Sequence, residues 1–231
     1  MPLPVLEIPK YSLTVPSTKK KIQYRPFLVK EEKILMIAQE SENEKQMLQA
    51  VKNIISTCTF ENIDVNNIPM YDIEYLFLKI RSKSVGEVVS FQHNCSKCKE
   101  LNPVEVNLED VEVQFPEKKI EDNIQLNDSI GITLKPINFS DITKAKGKDE
   151  ISETIIASIK TIYDSDNVYS TSSCSKKELD EFVDSLSHQH LEKIQEYILN
   201  QPVIKHTIKY TCGKCGHENS YELSGLQSFF T

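Results

Sequence analysis

Two Cys-x-x-Cys pairs, Cys95/Cys98 and Cys212/Cys215, are the residues of this chain best suited to chemistry. They stand in matching contexts. The first copy reads Phe91-Gln-His-Asn-Cys95-Ser-Lys-Cys98-Lys-Glu-Leu-Asn102, the second Ile208-Lys-Tyr-Thr-Cys212-Gly-Lys-Cys215-Gly-His-Glu-Asn219. Cysteine, lysine, cysteine and asparagine recur at one fixed offset. Thiolates are strong ligands for zinc, which prefers four donors in a tetrahedron. Two intervening residues let one tight turn aim both sulfurs at a single ion, and the N–H groups of that turn can donate to the sulfurs. Gly213 and Gly216 suit a knuckle of this kind, where positive φ is often needed. The pattern predicts that Cys95, Cys98, Cys212 and Cys215 share one structural zinc per chain, as the two knuckles of a split zinc ribbon. Residues 99–211 separate the halves, which is tolerable because loop-closure entropy grows slowly with length. Two reduced, metal-free turns remain the alternative, and iron can also occupy four thiolates. A redox pair fits less well, since neither motif reads as a strand-to-helix turn. His93 and His217 stand near the pairs, but four cysteines already fill the shell.

A closed four-thiolate site is structural, because catalytic zinc keeps a position open for water or substrate. Nothing else in the chain reads as a catalytic constellation. His188 and His190 are two apart, so they fall on different faces at a helix start. Cys174 lies in the Ser/Thr-rich run Ser170–Ser175 with no positioned base, and reads as a free thiol. Cys58 ends an apolar helix and reads as a small buried hydrophobe. The acidic residues form no evident general acid–base pair. The chain is therefore expected not to be an enzyme and to have no small-molecule substrate. The formal net charge of -7 and a pI near 5.4 argue against a nucleic-acid partner. Lys19, Lys20 and Lys21 read as a solvated run. No segment approaches the roughly 18 apolar residues a membrane helix needs. Residues 1–10 lack the apolar stretch of a secretory signal, so the six cysteines point to a reducing compartment. The sequons at Asn127 and Asn138 then carry no meaning as glycan sites.

The elements that must position the cysteines can be read outward from them. Val88–Gln92 and Val104–Leu108 alternate like strands around the first pair, and Val203–Leu223 reads as a hairpin around the second. Val111–Phe115 and Ile130–Leu134 continue the strand pattern. Residues 1–28 hold five prolines, which reject a helix and suggest an extended arm that wraps its own domain or reaches a partner. Helical periodicity begins near Lys30. It continues through Met47, Leu48, Val51, Ile54 and Ile55, and again from Pro69 through Ile73, Leu76, Phe77 and Ile80. After residue 148, Ile151, Ile155, Ile159 and Ile162 share a helical spacing. Ser175 with Glu178 resembles a capping box, and a last helix runs to Pro202. The expected class is α+β: an N-terminal arm and helices, a small antiparallel β unit carrying the split four-cysteine zinc ribbon, and a helical insertion. The expected division is 1–28 extended arm, 29–85 helical region, 86–145 plus 203–231 β zinc-ribbon unit, and 146–202 helical insertion.

Three further blocks carry a family resemblance. Tyr24-Arg25-Pro26-Phe27-Leu28-Val29-Lys30-Glu31-Glu32-Lys33-Ile34-Leu35, with Pro9-Lys10-Tyr11 and Pro16-Ser17 before it, is similar to a signature of baseplate hub and hub-assembly proteins of T-even-type contractile-tailed phages. Asp72–Glu87 resembles a second block of that family, and Gly225–Phe230 its end. The resemblance implies a non-enzymatic viral tail protein. It would be a component or assembly factor of the baseplate central hub, acting by protein–protein binding on other baseplate, hub or tail proteins. It would be found in the host cytoplasm during assembly and, if retained, in the virion tail baseplate. It carries over no catalytic residues and no binding surface. On this reading residues 1–28 dock onto a hub partner. The competing readings are a zinc-ribbon nucleic-acid or transcription-associated binding protein, and an enzyme with its site in residues 146–202.

Overall fold

The structure, a computed structural model, describes residues 6–118, 121–144 and 150–225. In chain order the first half holds β1 (Tyr11–Thr14), β2 (Lys21–Tyr24), α1 (Val29–Glu40), α2 (Glu44–Cys58), α3 (Met70–Val85), β3 (Val88–Asn94), β4 (Leu101–Asn107) and β5 (Val113–Gln114). Then come β6 (Asn123–Gln125), β7 (Gly131–Leu134), α4 (Phe139–Lys144), α5 (Glu150–Ser158), β8 (Ile159–Tyr163), β9 (Val168–Ser170), α6 (Lys176–Asp184) and α7 (His188–Leu199). β10 (Val203–Thr211) and β11 (Glu218–Ser224) close the described chain. This is a mixed helix-and-strand architecture with small antiparallel sheets, and it carries a cluster of four cysteines. It divides into two compact units. One takes the chain up to Val65, Tyr71–Gln114, and everything from Val203; the other takes Asn66–Met70 and Phe115–Pro202. The expected division cut the chain at 145/146, whereas the compact units are cut at 114/115. Among the described residues no helix is long and apolar enough to cross a membrane.

In the first unit, residues 11–24 of the proline-rich arm form a hairpin of β1 and β2 that packs on its own domain. Leu13, Val15, Ile22 and Tyr24 are buried. Lys19, Lys20 and Lys21 stay exposed near its turn, as their composition suggested. Beyond the hairpin, the Arg25 N–H donates to the Cys58 carbonyl at 3.0 Å, and the Phe27 N–H to Ser84 Oγ at 2.9 Å. The Ser17 N–H donates to Asp72 Oδ1 at 3.0 Å, with the Ser17 hydroxyl on Oδ2. Arg25 and Glu31 form a buried ion pair at 2.9 Å, and the other Glu31 oxygen caps α1 by accepting the Leu28 N–H at 2.8 Å. Residues of the two resembling blocks are thus bonded to each other.

In α2, Asn43 accepts the Lys45 and Gln46 N–H groups as N-cap, and Val51, Ile54, Ile55 and Cys58 bury one stripe. α3 is buried nearly all round, including Ile73, Leu76, Phe77 and Ile80. Its Lys79, 5% exposed, donates through Nζ to the Leu108 and Glu109 carbonyls, tying the segment after β4 to the helix. Of the expected strand Val111–Phe115, only Val113–Gln114 pairs, and its partner is β10.

The second unit is built on a four-stranded antiparallel sheet in the order β6-β7-β8-β9. Ile124, Ile132, Leu134, Ile155, Ile159, Val183, Ile194 and Tyr197 form one core between strands and helices. The expectation that Ile159 and Ile162 continue a helix with Ile151 and Ile155 is corrected here. The helix stops at Ser158, whose hydroxyl bonds the Ile155 carbonyl, and the β-branched run Ile159-Lys-Thr-Ile-Tyr163 pairs with β7 instead. Residues 146–202 are therefore not purely helical. The capping box at Ser175/Glu178 forms, and Asn127 and Asn138 accept N–H groups of their own turns.

Candidate metal centre

The two cysteine pairs occupy equivalent turns. β3 pairs with β4 up to Asn94↔Leu101, and β10 with β11 up to Thr211↔Glu218. Residues 95–100 and 212–217 are thus six-residue loops at the tips of two hairpins. The backbone bonding is the same in both. The Cys95 N–H donates to the Glu100 carbonyl at 2.8 Å and Lys99 N–H to the Cys95 carbonyl at 3.0 Å. The Cys212 N–H donates to the His217 carbonyl at 2.9 Å and Gly216 N–H to the Cys212 carbonyl at 3.0 Å. The left-handed position falls at Lys99, with φ 62°, and at Gly216, with φ 66°. Gly213 does not take positive φ, contrary to expectation. The second knuckle meets this left-handed position with glycine, and the first holds a lysine in the same backbone conformation.

The hairpins bring the four sulfurs together. Cys95 and Cys215 Sγ are 3.7 Å apart, Cys98 and Cys212 Sγ 3.6 Å, and all four lie within 4.8 Å of one another. Disulfide sulfurs would be about 2 Å apart. Bonds of about 2.3 Å to a tetrahedral zinc put neighbouring sulfurs about 3.8 Å apart, so the donor set fits such an ion. Cys95 and Cys212 are buried, Cys98 is half-buried and Cys215 exposed. The Cys98 N–H donates to the Cys95 sulfur and, with the Lys97 N–H, Asn219 and Cys215, outweighs burial to bring that thiol down to about 6. The Cys215 and Lys214 N–H groups lower Cys212 in the same way. For Cys98, the Glu100 N–H pulls down, but burial and the three neighbouring sulfurs push it up to about 12. Without a cation, four sulfurs this close cannot all ionise together.

Asparagines complete the array crosswise. Asn102, after the first knuckle, donates from Nδ2 to Cys212 Sγ at 3.6 Å and accepts the Gly213 N–H on Oδ1 at 3.0 Å. Asn219, after the second, donates to Cys95 Sγ at 3.6 Å and accepts the Ser96 N–H at 2.9 Å. The repeat marked both asparagines but did not disclose that each serves the other knuckle. His93 is no substitute ligand here. Its Nδ1 pairs with the Tyr210 hydroxyl at 2.8 Å and its ring lies 4.1 Å from that of Tyr221. The Tyr210 hydroxyl also donates to the Asn94 carbonyl at 3.1 Å, and Lys214 pairs with Glu100 at 2.6 Å, so the hairpins are joined beyond the sulfurs.

A family model described as T4 bacteriophage base plate protein matches residues 8–231. The chain belongs to that family. It is a phage baseplate structural protein, a viral tail component whose partners are other baseplate or tail proteins. No curated protein and no solved structure matches it. Membership does not favour the nucleic-acid alternative.

The remaining candidate residues of this baseplate protein lie elsewhere. His188 sits exposed at the start of α7 beside Glu192, and His190 completes the Ser187 cap. Cys58 is fully buried, and burial pushes its thiol up to about 11. In the second unit, Cys174 donates weakly to the Ser170 carbonyl at 3.4 Å. It lines a cavity of about 500 Å³ in which Lys135 is paired with Asp141 and Lys176 with Glu153. Of the last family-like block, Gly225–Phe230, residues 226–230 lie outside the described residues, as does the start of the arm, residues 1–5.

Proposed function

We propose that this baseplate protein is a non-enzymatic component or assembly factor of the central hub of a contractile tail, acting by binding other proteins. We further propose that one structural zinc on Cys95, Cys98, Cys212 and Cys215 holds its two knuckle hairpins together. The observation that carries the metal reading is the set of four sulfurs converging within 4.8 Å of one another from two distant chain segments. The hub assignment is supported by the resemblance at Tyr24–Leu35 and Asp72–Glu87. Those blocks are bonded to each other through Phe27 and Ser84. The ion supplies cross-linking and charge neutralisation, and all its ligands come from the chain. The protein assembles in the host cytoplasm and acts at the tail baseplate. Residues 11–28, being bonded within their own unit, contribute to a partner surface as a folded hairpin and not as a free arm.

Co-expression with the other baseplate proteins of the same phage, followed by purification through a tag on this chain, tests the hub assignment. Co-elution with central hub proteins in preference to peripheral ones is expected. Co-elution with peripheral baseplate proteins alone would contradict it.

A further inference from the structure

We infer that Asn102 and Asn219 are positioning residues of the metal site, each tuning a sulfur of the knuckle opposite to its own; this rests on the four-cysteine site binding a metal. Both side chains are buried, at 6% exposure, and both use every polar atom. Asn102 Nδ2 is shared between the Glu100 carbonyl at 2.8 Å, in its own hairpin, and Cys212 Sγ in the other. Asn219 Nδ2 is shared between the His217 carbonyl at 2.9 Å and Cys95 Sγ. Each Oδ1 fixes the opposite turn by accepting a backbone N–H, from Gly213 or from Ser96. The sulfurs chosen are the two buried ones, Cys95 and Cys212.

The chemistry follows from charge. Four thiolates around a divalent cation leave a net charge of about two negative units, which burial opposes. Hydrogen-bond donors to sulfur draw off part of that charge, and donors around metal sites tune affinity in this way. The turns supply backbone donors to Cys95 and Cys212 from within each knuckle. The asparagines add one more donor to each, from the far side. Neither knuckle therefore has its full set of donors until the other docks. Metal binding and docking of the two chain segments become one event.

Aspartate separates the two roles of each amide. In Asn102→Asp or Asn219→Asp the oxygen can still accept the backbone N–H, but the donor to sulfur becomes a negative charge. The experiment titrates the full-length protein and each variant with cobalt(II), followed by competition with zinc against a chromophoric chelator. The wild type should show the thiolate-to-cobalt charge-transfer band of a four-sulfur site. Each Asp variant should bind about 10- to 100-fold more weakly and shift that band to lower energy, because a sulfur without its donor gives up charge more readily. The two variants should match, since the sites are equivalent. Should Asn102→Asp or Asn219→Asp fail to fold, the corresponding Ala variant, with no charge beside the sulfur, is read by the same band and should shift in the same direction. A wild type that takes cobalt while the variants keep its affinity and band position would overturn this inference alone. A wild type that takes no metal would overturn it together with the metal reading.

Discussion

Two regions of the first unit each fasten distant stretches of chain together, and they do so by opposite means. The knuckle hairpins meet through four converging sulfurs and crossed asparagines. The N-terminal segment, from Ser17 to Glu31, meets α2 and α3 through the buried Asp72 carboxylate and hydrogen bonds to Cys58 and Ser84, and is braced internally by the buried Arg25–Glu31 ion pair. On the proposed metal reading, the first fastening depends on metal and on reduced thiols. The second depends on charge and therefore on pH. A subunit built this way can lose one without losing the other, and the contrast can be pressed from both sides.

Removing the metal should have the largest effect. Chelation, or Cys212→Ser at a buried ligand, is expected to cost several kcal/mol, because metal binding in such sites is itself folding free energy. A thermal scan followed by circular dichroism would show it, and mixing in the Arg25 variant below should give nearly additive losses if the two fastenings are independent. Next comes Arg25→Ala, which leaves the buried Glu31 with only the solvent-exposed Lys30 and the Leu28 N–H, and should cost about 3 kcal/mol in denaturant unfolding. Zinc content should not change.

The pH dependence follows from the same carboxylates. Burial alone would raise Glu31, but the Arg25 hydrogen bond, the Leu28 N–H and the Arg25 charge outweigh it and hold the group below its ordinary value. Its contribution is therefore present above the ordinary carboxylate pKa and is lost as pH falls through the lower folded value. Asp72 runs the other way. Burial raises it despite the Ser17 hydrogen bonds and Lys19, so its protonated form is favoured, and stability from it fades as pH rises through its higher folded value. Glu31→Gln should flatten the acid limb of a stability-versus-pH curve measured by urea unfolding; an unchanged acid limb would contradict the assignment.

The smallest effect compares the knuckles themselves. Gly216→Ala should destabilise by about 1 kcal/mol and Lys99→Gly should be neutral or slightly stabilising, because the same left-handed backbone is held by glycine in one and lysine in the other. Paired urea curves would read both.

How legible this was in the sequence differs between the two regions for a physical reason. Cysteine spacing encodes its own chemistry, so the four-sulfur cluster, the flanking hairpins and the buried stripes of α2 and α3 could be anticipated residue by residue. Asn102 and Asn219 were visible only as a repeat, since which knuckle each serves depends on how the hairpins dock. Arg25 and Glu31 stood out through resemblance and not through chemistry, because an arginine and a glutamate six positions apart become a buried pair only once α1 turns back. In the second unit the eye was misled at Ile159. A spacing of four and then three between Ile155, Ile159 and Ile162 fits a helix, and only pairing with β7 decides for a strand. β6 and α4 were too short to leave a periodic trace.

The most direct test of the central claim is native mass spectrometry of the purified chain beside its Cys95→Ser and Cys212→Ser variants, before and after a strong chelator. One zinc per wild-type chain, removed by chelator and absent or labile in both variants, is the predicted result. A wild type without metal, or a variant that keeps its metal as tightly as the wild type, would mean that the two knuckles do not share an ion.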